Sequence, residues 1–200
     1  MPTSAPSHHL VAGRLALDFA NLSPTAHDLS WHEFVSFLVD ARLIADDRAA
    51  RLRPFLSTEP QAVDAVLLRI LRLRESLRAI FASIVDGDSF PGSWVEPVNE
   101  VLRVTEGHDE LVSDRGSWSL QFVGRESGLD WLLAAIARSA AELLVEGSKA
   151  PIRRCANPLC RLFFYDASRT GRRRWCSMAV CGNRHKVAEF LRRRSLLHRE

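Results

Sequence analysis

All four cysteines of this 200-residue chain fall between positions 155 and 181: Cys155, Cys160, Cys176 and Cys181. Four residues separate the members of each pair, and fifteen lie between the pairs. Thiolates suit zinc, and a structural zinc site closes a tetrahedron with four protein ligands. Two turns that each deliver two sulfurs provide that set. One CxxxxC pair is a weak signal, but two pairs that use every cysteine make a strong one. One structural zinc is therefore expected. An iron–sulfur cluster and free or redox-active thiols are the competing readings, and the close CxxC spacing common in clusters is absent. Four thiolates leave no open coordination position, so the metal is expected to hold structure and not to catalyse. His185 could displace one cysteine, but it reads as a surface residue.

The second set of chemically capable residues is basic. The overall charge of +3 is unevenly spread. Residues 150–200 carry thirteen Lys/Arg against three acids, while the preceding residues carry fourteen against twenty-one. An acidic body with a strongly basic tail implies a polyanionic partner for the tail. Arg172, Arg173 and Arg174 arrive together just before Trp175. On a helix over 178–197, His185, Lys186, Arg192 and Arg193 share one side, with Glu189 an i,i+4 partner for Arg193. Val187, Phe190 and Leu191 fall on the other side and are expected to face the zinc hairpin. Arg184 lies beside that apolar side and is expected to bond to carbonyls or thiolates of the zinc turn. The candidate nucleic-acid residues are Arg172, Arg173, Arg174, Lys186, Arg192 and Arg193. A solvated charged face that balances the zinc thiolates is the alternative.

Catalytic constellations are missing from the sequence. It has no GxSxG, no HExxH and no phosphate-cradling glycine loop. Asp18, Asn21 and Arg74 could line a small-molecule pocket, against the plainer reading of a cap and a helix salt bridge. A non-enzymatic function is expected. No apolar run approaches the length of a membrane span. No basic start followed by an apolar stretch suggests a secretory signal, so a reducing cytoplasm is expected, where clustered cysteines bind metal.

The elements that position these residues follow from periodicity. Residues 10–20 alternate at Leu15, Leu17 and Phe19 and predict a short half-buried strand. Trp31 to Ile44 repeats apolar residues at helical spacing. A long helix is predicted from Thr58, with Thr58 and Gln61 as a capping box and Pro60 in the first turn, to Gly87. Its core face is Val63, Val66, Leu67, Ile70, Leu77, Phe81 and Ile84. A helix over Trp94–Val104 and strands at Leu111–Ser113 and Trp118–Val123 follow, the strands flanking Asp114-Arg115-Gly116. An apolar helix over Leu129–Val145 stops at Gly147, and Pro151 breaks the chain. In the tail, Leu162 to Tyr165 read as a strand and Ala167 to Gly171 as a turn. Ser177 caps a helix that carries Cys181 near its start. The expected fold is α+β: a mostly helical domain with short strands over 1–150, and a treble-clef-like four-cysteine zinc finger ending in a helix over 151–200.

Trp175-Cys176-Ser177-Met178-Ala179-Val180-Cys181-Gly182-Asn183-Arg184, followed by Lys186, resembles the signature of the bacterial CGNR zinc fingers. Cys155-Ala-Asn-Pro-Leu-Cys160 with Phe164-Tyr165-Asp166 is similar to the first half of that finger. Leu15-Ala-Leu-Asp-Phe19-Ala-Asn21 and the stretch LRLRESLR from Leu71 to Arg78 are similar to the ABATE domain that usually precedes it. Leu22 follows Asn21 where that family usually has Thr. The resemblance implies a stress-related transcription regulator. The reading is a DNA-binding protein whose body senses a small-molecule effector or forms a homodimer. A protein–protein adaptor with a purely structural zinc, and an RNA binder, are the alternatives.

Overall fold

The computed structural model describes residues 10–22, 29–104, 106–114, 117–124 and 129–197. Ser30 starts the helical body. Its hydroxyl accepts from the Glu33 N–H while the Glu33 carboxylate accepts from the Ser30 N–H, a reciprocal cap. The helix that follows, α2 (Trp31–Asp40), buries Trp31, Phe34, Val35, Phe37 and Leu38. Two short helices succeed it, α3 (Asp46–Leu52) and α4 (Phe55–Thr58). The Trp31 indole N–H donates to the Leu52 carbonyl at 3.0 Å and ties α3 to α2.

The long helix, α5, runs from Pro60 to Asp86 and ends on Gly87 at φ +78°, a left-handed C-cap suited to glycine. The expected capping box does not form. Thr58 belongs to α4, and its hydroxyl donates back to the Pro54 carbonyl at 3.4 Å. Glu59 sits at the boundary with φ −136°, and Pro60 starts α5 with its φ already suited to the first turn. Val63, Val66, Ile70, Leu77 and Phe81 face the core as expected, joined by Leu73, Arg74 and Ile80.

The predicted strand over 10–20 is instead a helix, α1 (Leu15–Ala20). It lies among α5, the later helix α7 (Ala134–Glu146) and the tail hairpin. Ala16, Leu17, Phe19 and Ala20 are all buried. A helix wrapped on most sides has no polar face to mark its period, so the alternation of Leu15, Leu17 and Phe19 misleads. Phe19 packs edge-on to Phe34, with ring centroids 6.3 Å apart.

A 3₁₀ turn over Gly92–Val95 leads into α6 (Glu96–Val104). The two strands β1 (Gly107–Asp114) and β2 (Ser117–Gly124) pair antiparallel from Gly107↔Gly124 to Asp114↔Ser117, longer than expected at both ends. Arg115 and Gly116, expected in the turn, lie outside the described residues. The apolar segment from Leu129 starts as a 3₁₀ turn, Asp130–Leu133, and continues as α7 up to Gly147. No helix among the described residues is long and apolar enough to cross a membrane.

The tail begins with a second antiparallel pair, β3 (Ile152–Arg154) and β4 (Phe163–Tyr165). It then reaches a π-helical turn, Met178–Gly182, and α8 (Asn183–Leu197). The α+β expectation holds: a mostly helical body, a small finger hairpin, and a helix after the cysteines. The hydrophobic core runs without a break from the body into the finger. Ile152, Phe163, Phe164 and the buried cysteines belong to the same cluster as Leu17, Leu77 and Phe81. Phe81 meets Phe163 at 6.2 Å between centroids.

Candidate metal centre and basic surface

The knuckle that carries the first two cysteines is shaped by Asn157. Its side-chain oxygen accepts from the Leu159 N–H at 3.1 Å, and its carbonyl accepts from Cys160 N at 2.9 Å. Arg161 then takes a left-handed φ of +57°, which returns the chain toward β4. Cys155 N donates to the Leu162 carbonyl at 2.8 Å and Ala156 N to the Arg174 carbonyl at 2.9 Å, so the two cysteine-bearing loops are stitched together. On the second loop Ser177 caps the π-helical turn, its hydroxyl accepting from Val180 N at 3.3 Å. That turn delivers Cys181.

The four Sγ atoms lie within 4.8 Å of one another. Cys160 and Cys176 Sγ are 3.6 Å apart, and Cys176 and Cys181 Sγ 3.7 Å. A tetrahedron with Zn–S bonds of about 2.3 Å has edges of about 3.8 Å, so the cluster fits zinc. Cys155, Cys176 and Cys181 are buried and Cys160 half-buried. Burial pushes the Cys160 thiol up to about 11 and raises Cys176 as well. At Cys181 burial is outweighed by hydrogen bonds from Asn157 and the neighbouring sulfurs. Sulfurs so close and so dry are all held as thiolates only by a cation. Further donors orient them: Asn157 Nδ2 reaches Cys181 Sγ, and Cys176 N reaches Cys155 Sγ, both at 3.5 Å. The tetrahedron can hold one structural zinc, with Cys155, Cys160, Cys176 and Cys181 as its ligands.

Gly182 and Asn183 have local reasons to be what they are. A Cβ on Gly182 would stand 2.6 Å from Met178 Sδ and 3.4 Å from the Trp175 ring. Asn183 Nδ2 donates back to the Ala179 carbonyl at 3.1 Å. The neighbouring His185 ring lies 4.7 Å from Trp175, outside the metal cluster.

The three consecutive arginines divide. Arg172 and Arg174 are exposed. Arg173 turns inward, its Nε donating to the Trp175 carbonyl at 2.9 Å and its Nη2 to the carbonyls of Cys176 and Val11. Its guanidinium lies 4.7 Å over the Phe164 ring. Arg173 therefore provides the bracing expected of Arg184, which is exposed on α8. Asp166, which sequence reasoning did not single out as functional, anchors the same region. It is buried, accepts from Ser168 N and Oγ and from Arg173 N, and pairs with Arg153 Nε at 3.1 Å. Burial alone would raise its carboxyl, but the Ser168 and Arg173 hydrogen bonds and the Arg153 charge hold it below the ordinary range. Its signal was an acid retained in an otherwise basic segment.

On α8, Lys186, Arg192 and Arg193 are exposed. Arg193 pairs with Glu189 at 3.2 Å as expected, and Arg192 shares that carboxylate at 2.9 Å. Val187, Phe190 and Leu191 do not face the hairpin. They are 58, 63 and 56% exposed, because α8 packs chiefly on the π-helical turn and projects beyond it.

Asp18, Asn21 and Arg74 gather at the junction of body and finger. Asp18 Oδ1 accepts from Ala12 N at 3.0 Å, and burial raises its carboxyl to about 6. Asn21 clamps the finger with two bonds: its Nδ2 donates to the Phe163 carbonyl at 2.8 Å and its Oδ1 accepts from Phe163 N at 2.9 Å. Arg74 is buried and donates to the Leu22 carbonyl at 3.0 Å. Two surface cavities, of about 380 and 420 Å³, are lined by other residues, the second lying between Val85 of α5 and the finger, and none of the three lines either. The junction is completed by Tyr165 N donating to the Ala12 carbonyl at 2.7 Å and the Tyr165 hydroxyl donating to Glu146 at 3.0 Å.

Comparison with known proteins agrees with this geometry. Residues 152–194 match the family model of the CGNR zinc finger. Residues 13–147 match the ABATE family, described as "Putative stress-induced transcription regulator". The comparison with curated proteins gives no match. A junction built from α1 and a four-cysteine finger thus lie inside two matched regions, and the chain belongs to the ABATE family and carries a CGNR zinc finger.

Proposed function

We propose that the chain is a zinc-containing, DNA-binding transcription regulator of the cytoplasm that acts by binding and not by catalysis. The finger meets nucleic acid mainly at phosphates, and the body senses a small molecule or forms a dimer. The observation that carries this reading is the set of exposed cations on one small module: Arg172, Arg174, Arg184, Lys186, Arg192 and Arg193. The zinc tetrathiolate carries a net charge of about −2, which accounts for little of the thirteen Lys/Arg against three acids in residues 150–200. Arg173 is not part of this surface, since its guanidinium is engaged by carbonyls within the finger. A non-enzymatic body fits the use of Asp18, Asn21 and Arg74 as backbone clamps.

Fluorescence anisotropy of the full-length, zinc-loaded protein tests this, with labelled duplex DNA and single-stranded RNA across a salt series. Neutralising about five phosphates gives a log–log salt slope of about −4 to −5 on duplex. Charge reversal at Arg172 and Arg174 should weaken binding to all sequences alike. Glu189→Gln should strengthen it, because Arg192 and Arg193 lose their competing partner. The exposed apolar stripe of α8 favours the adaptor reading as the second choice, and absence of binding at low salt would leave that reading. Tighter binding to RNA would keep the electrostatic argument and remove the transcription label.

A further inference from the structure

The two surface cavities differ in how their charges are paired. In the smaller one, between α5 and α6, each arginine meets an acid: Arg69 pairs with Asp130, Arg72 with Glu100 and Arg103 with Glu96. The cavity of about 420 Å³ between α5 and the finger is lined by four arginines, Arg153, Arg154, Arg173 and Arg174. Arg153 pairs with Asp166 at 3.1 Å and Arg154 with Asp86 at 3.0 Å. Arg173 and Arg174 have no carboxylate partner among the described residues, so the lining keeps two uncompensated positive charges. Arg173 commits its Nε and Nη2 to carbonyls. The Arg174 guanidinium makes no hydrogen bond among the described residues and lies 5.2 Å from the centroid of the Trp175 ring.

We propose that this second cavity binds a small phosphomonoester, and that the ligand competes with nucleic acid for Arg174. Its volume lies within the range of small-molecule sites, about 300–1,000 Å³. The planar guanidinium fork matches phosphate oxygens, and the charge of about −2 on a monoester answers the two uncompensated arginines. A phosphodiester of a nucleic-acid backbone brings one charge only. Val85 and Ala156 give the organic group an apolar wall. The lining also joins three parts of the chain: Val85 from the last turn of α5, Ala156 directly after Cys155, and Arg174 two residues before Cys176. Ala156 N already donates to the Arg174 carbonyl at 2.9 Å. A ligand here touches the body and both cysteine-bearing loops at once. Arg174 is also one of the exposed cations offered to the duplex, so each ligand removes a contact from the other, and the coupling is reciprocal. The site gives the sensing function a place other than Asp18, Asn21 and Arg74. The competition rests on the nucleic-acid reading above, whereas the site itself does not.

The test is titration calorimetry of the full-length, zinc-loaded protein at pH 8 and constant ionic strength. The probes are phenyl phosphate and its diester, methyl phenyl phosphate. Saturable binding of one phenyl phosphate per chain is expected, with the diester about tenfold weaker. Arg174→Ala should lower the monoester affinity about tenfold, and Ala156→Glu, which adds a carboxylate at an exposed lining position, should abolish binding. Both variants should keep one zinc per chain. Arg172→Ala removes an equally exposed arginine that does not line the cavity, and should leave the monoester affinity within about twofold. Equal losses at Arg172 and Arg174, or equal affinity for monoester and diester, would overturn the site in favour of diffuse attraction or a backbone phosphate. In a second arm, saturating phenyl phosphate should weaken binding of a labelled duplex about fivefold beyond an equal ionic strength of chloride, and Arg174→Ala should remove that difference. Duplex affinity that phenyl phosphate leaves unchanged would overturn the competition. A wild type that binds phenyl phosphate but no duplex would overturn the nucleic-acid reading and the competition with it, and would support the site.

Discussion

The two halves of the finger differ more from each other than the finger differs from the body. The hairpin half is sunk into the body: Phe163 and Phe164 are 4 and 0% exposed, and β4 lies against α1. The helical half stands clear, with its largest apolar side chains exposed and its cations in solvent. The four cysteines sit between, two from the knuckle beside the hairpin and two from the loop and turn that lead into α8. One half of the module thus supplies stability and the other a surface, with the metal as the rigid joint between them.

Removing the joint should have the largest effect. Chelation of zinc, or Cys176→Ser, is expected to unfold the finger, since the binding free energy of such sites is folding free energy. Because the core is shared, the body should also lose stability, read as a lower midpoint for the far-UV signal of α5. Zinc analysis should give one equivalent per chain in the wild type. A body midpoint that is unchanged by chelation would show that the hairpin contributes nothing to the body.

Next in size is a matched pair of truncations. Phe163→Ala should cost about 3–4 kcal/mol by urea denaturation, the usual penalty for emptying an aromatic site in a packed core. Phe190→Ala, on the exposed half, should change stability by less than about 0.5 kcal/mol. Equal effects would dissolve the contrast between the halves.

Arg173→Ala should destabilise by about 2 kcal/mol, because it leaves the Cys176 and Trp175 carbonyls without their donor. Arg172→Ala should be near neutral in the same denaturation experiment and show its effect in duplex binding instead. The reverse order would place the wrong arginine inside.

The smallest effect concerns pH. Asp18 titrates at about 6 in the fold against 3.8 for an ordinary aspartate. Its contribution is therefore fully present below about pH 4 and is lost as pH rises through about 6, with about 1.4 kcal/mol of the change falling between pH 5 and pH 8. Asp18→Asn keeps an oxygen for the Ala12 N–H and has no proton to lose. The stability difference between variant and wild type should grow in the variant's favour from pH 5 to pH 8. A difference that stays flat would mean the carboxyl is not desolvated.

The sequence disclosed the metal site almost completely, because cysteine is a rare residue type and all four were spent in one place. The long helices were legible from their 3.6-residue period, and Gly87 and Gly147 from their role at helix ends. Helix α1 was hidden because it is buried on nearly every side. The exposure of α8 was hidden for a different reason: periodicity reveals that a helix has an apolar stripe, not whether anything covers it. Among the three arginines, composition could not choose. In an extended segment consecutive side chains alternate sides, which sends Arg173 inward and its neighbours out. The Asn21 clamp was least legible, since a lone amide at the end of a six-residue helix says nothing of a strand far along the chain.

That clamp sets a schedule for the nascent protein. Asn21 and its partner Phe163 are 142 residues apart. At ribosomal speeds of about 5–20 residues per second, α1 waits roughly 7–30 s for the strand that completes its surroundings. Until β4 emerges, one side of α1 and the Phe81 face of α5 remain uncovered, and the metal cannot close the knuckle until Cys181 follows. A message that stops before the finger would yield a chain missing part of the wall of its own core, a natural target for chaperones and proteases, and not a shorter, working body.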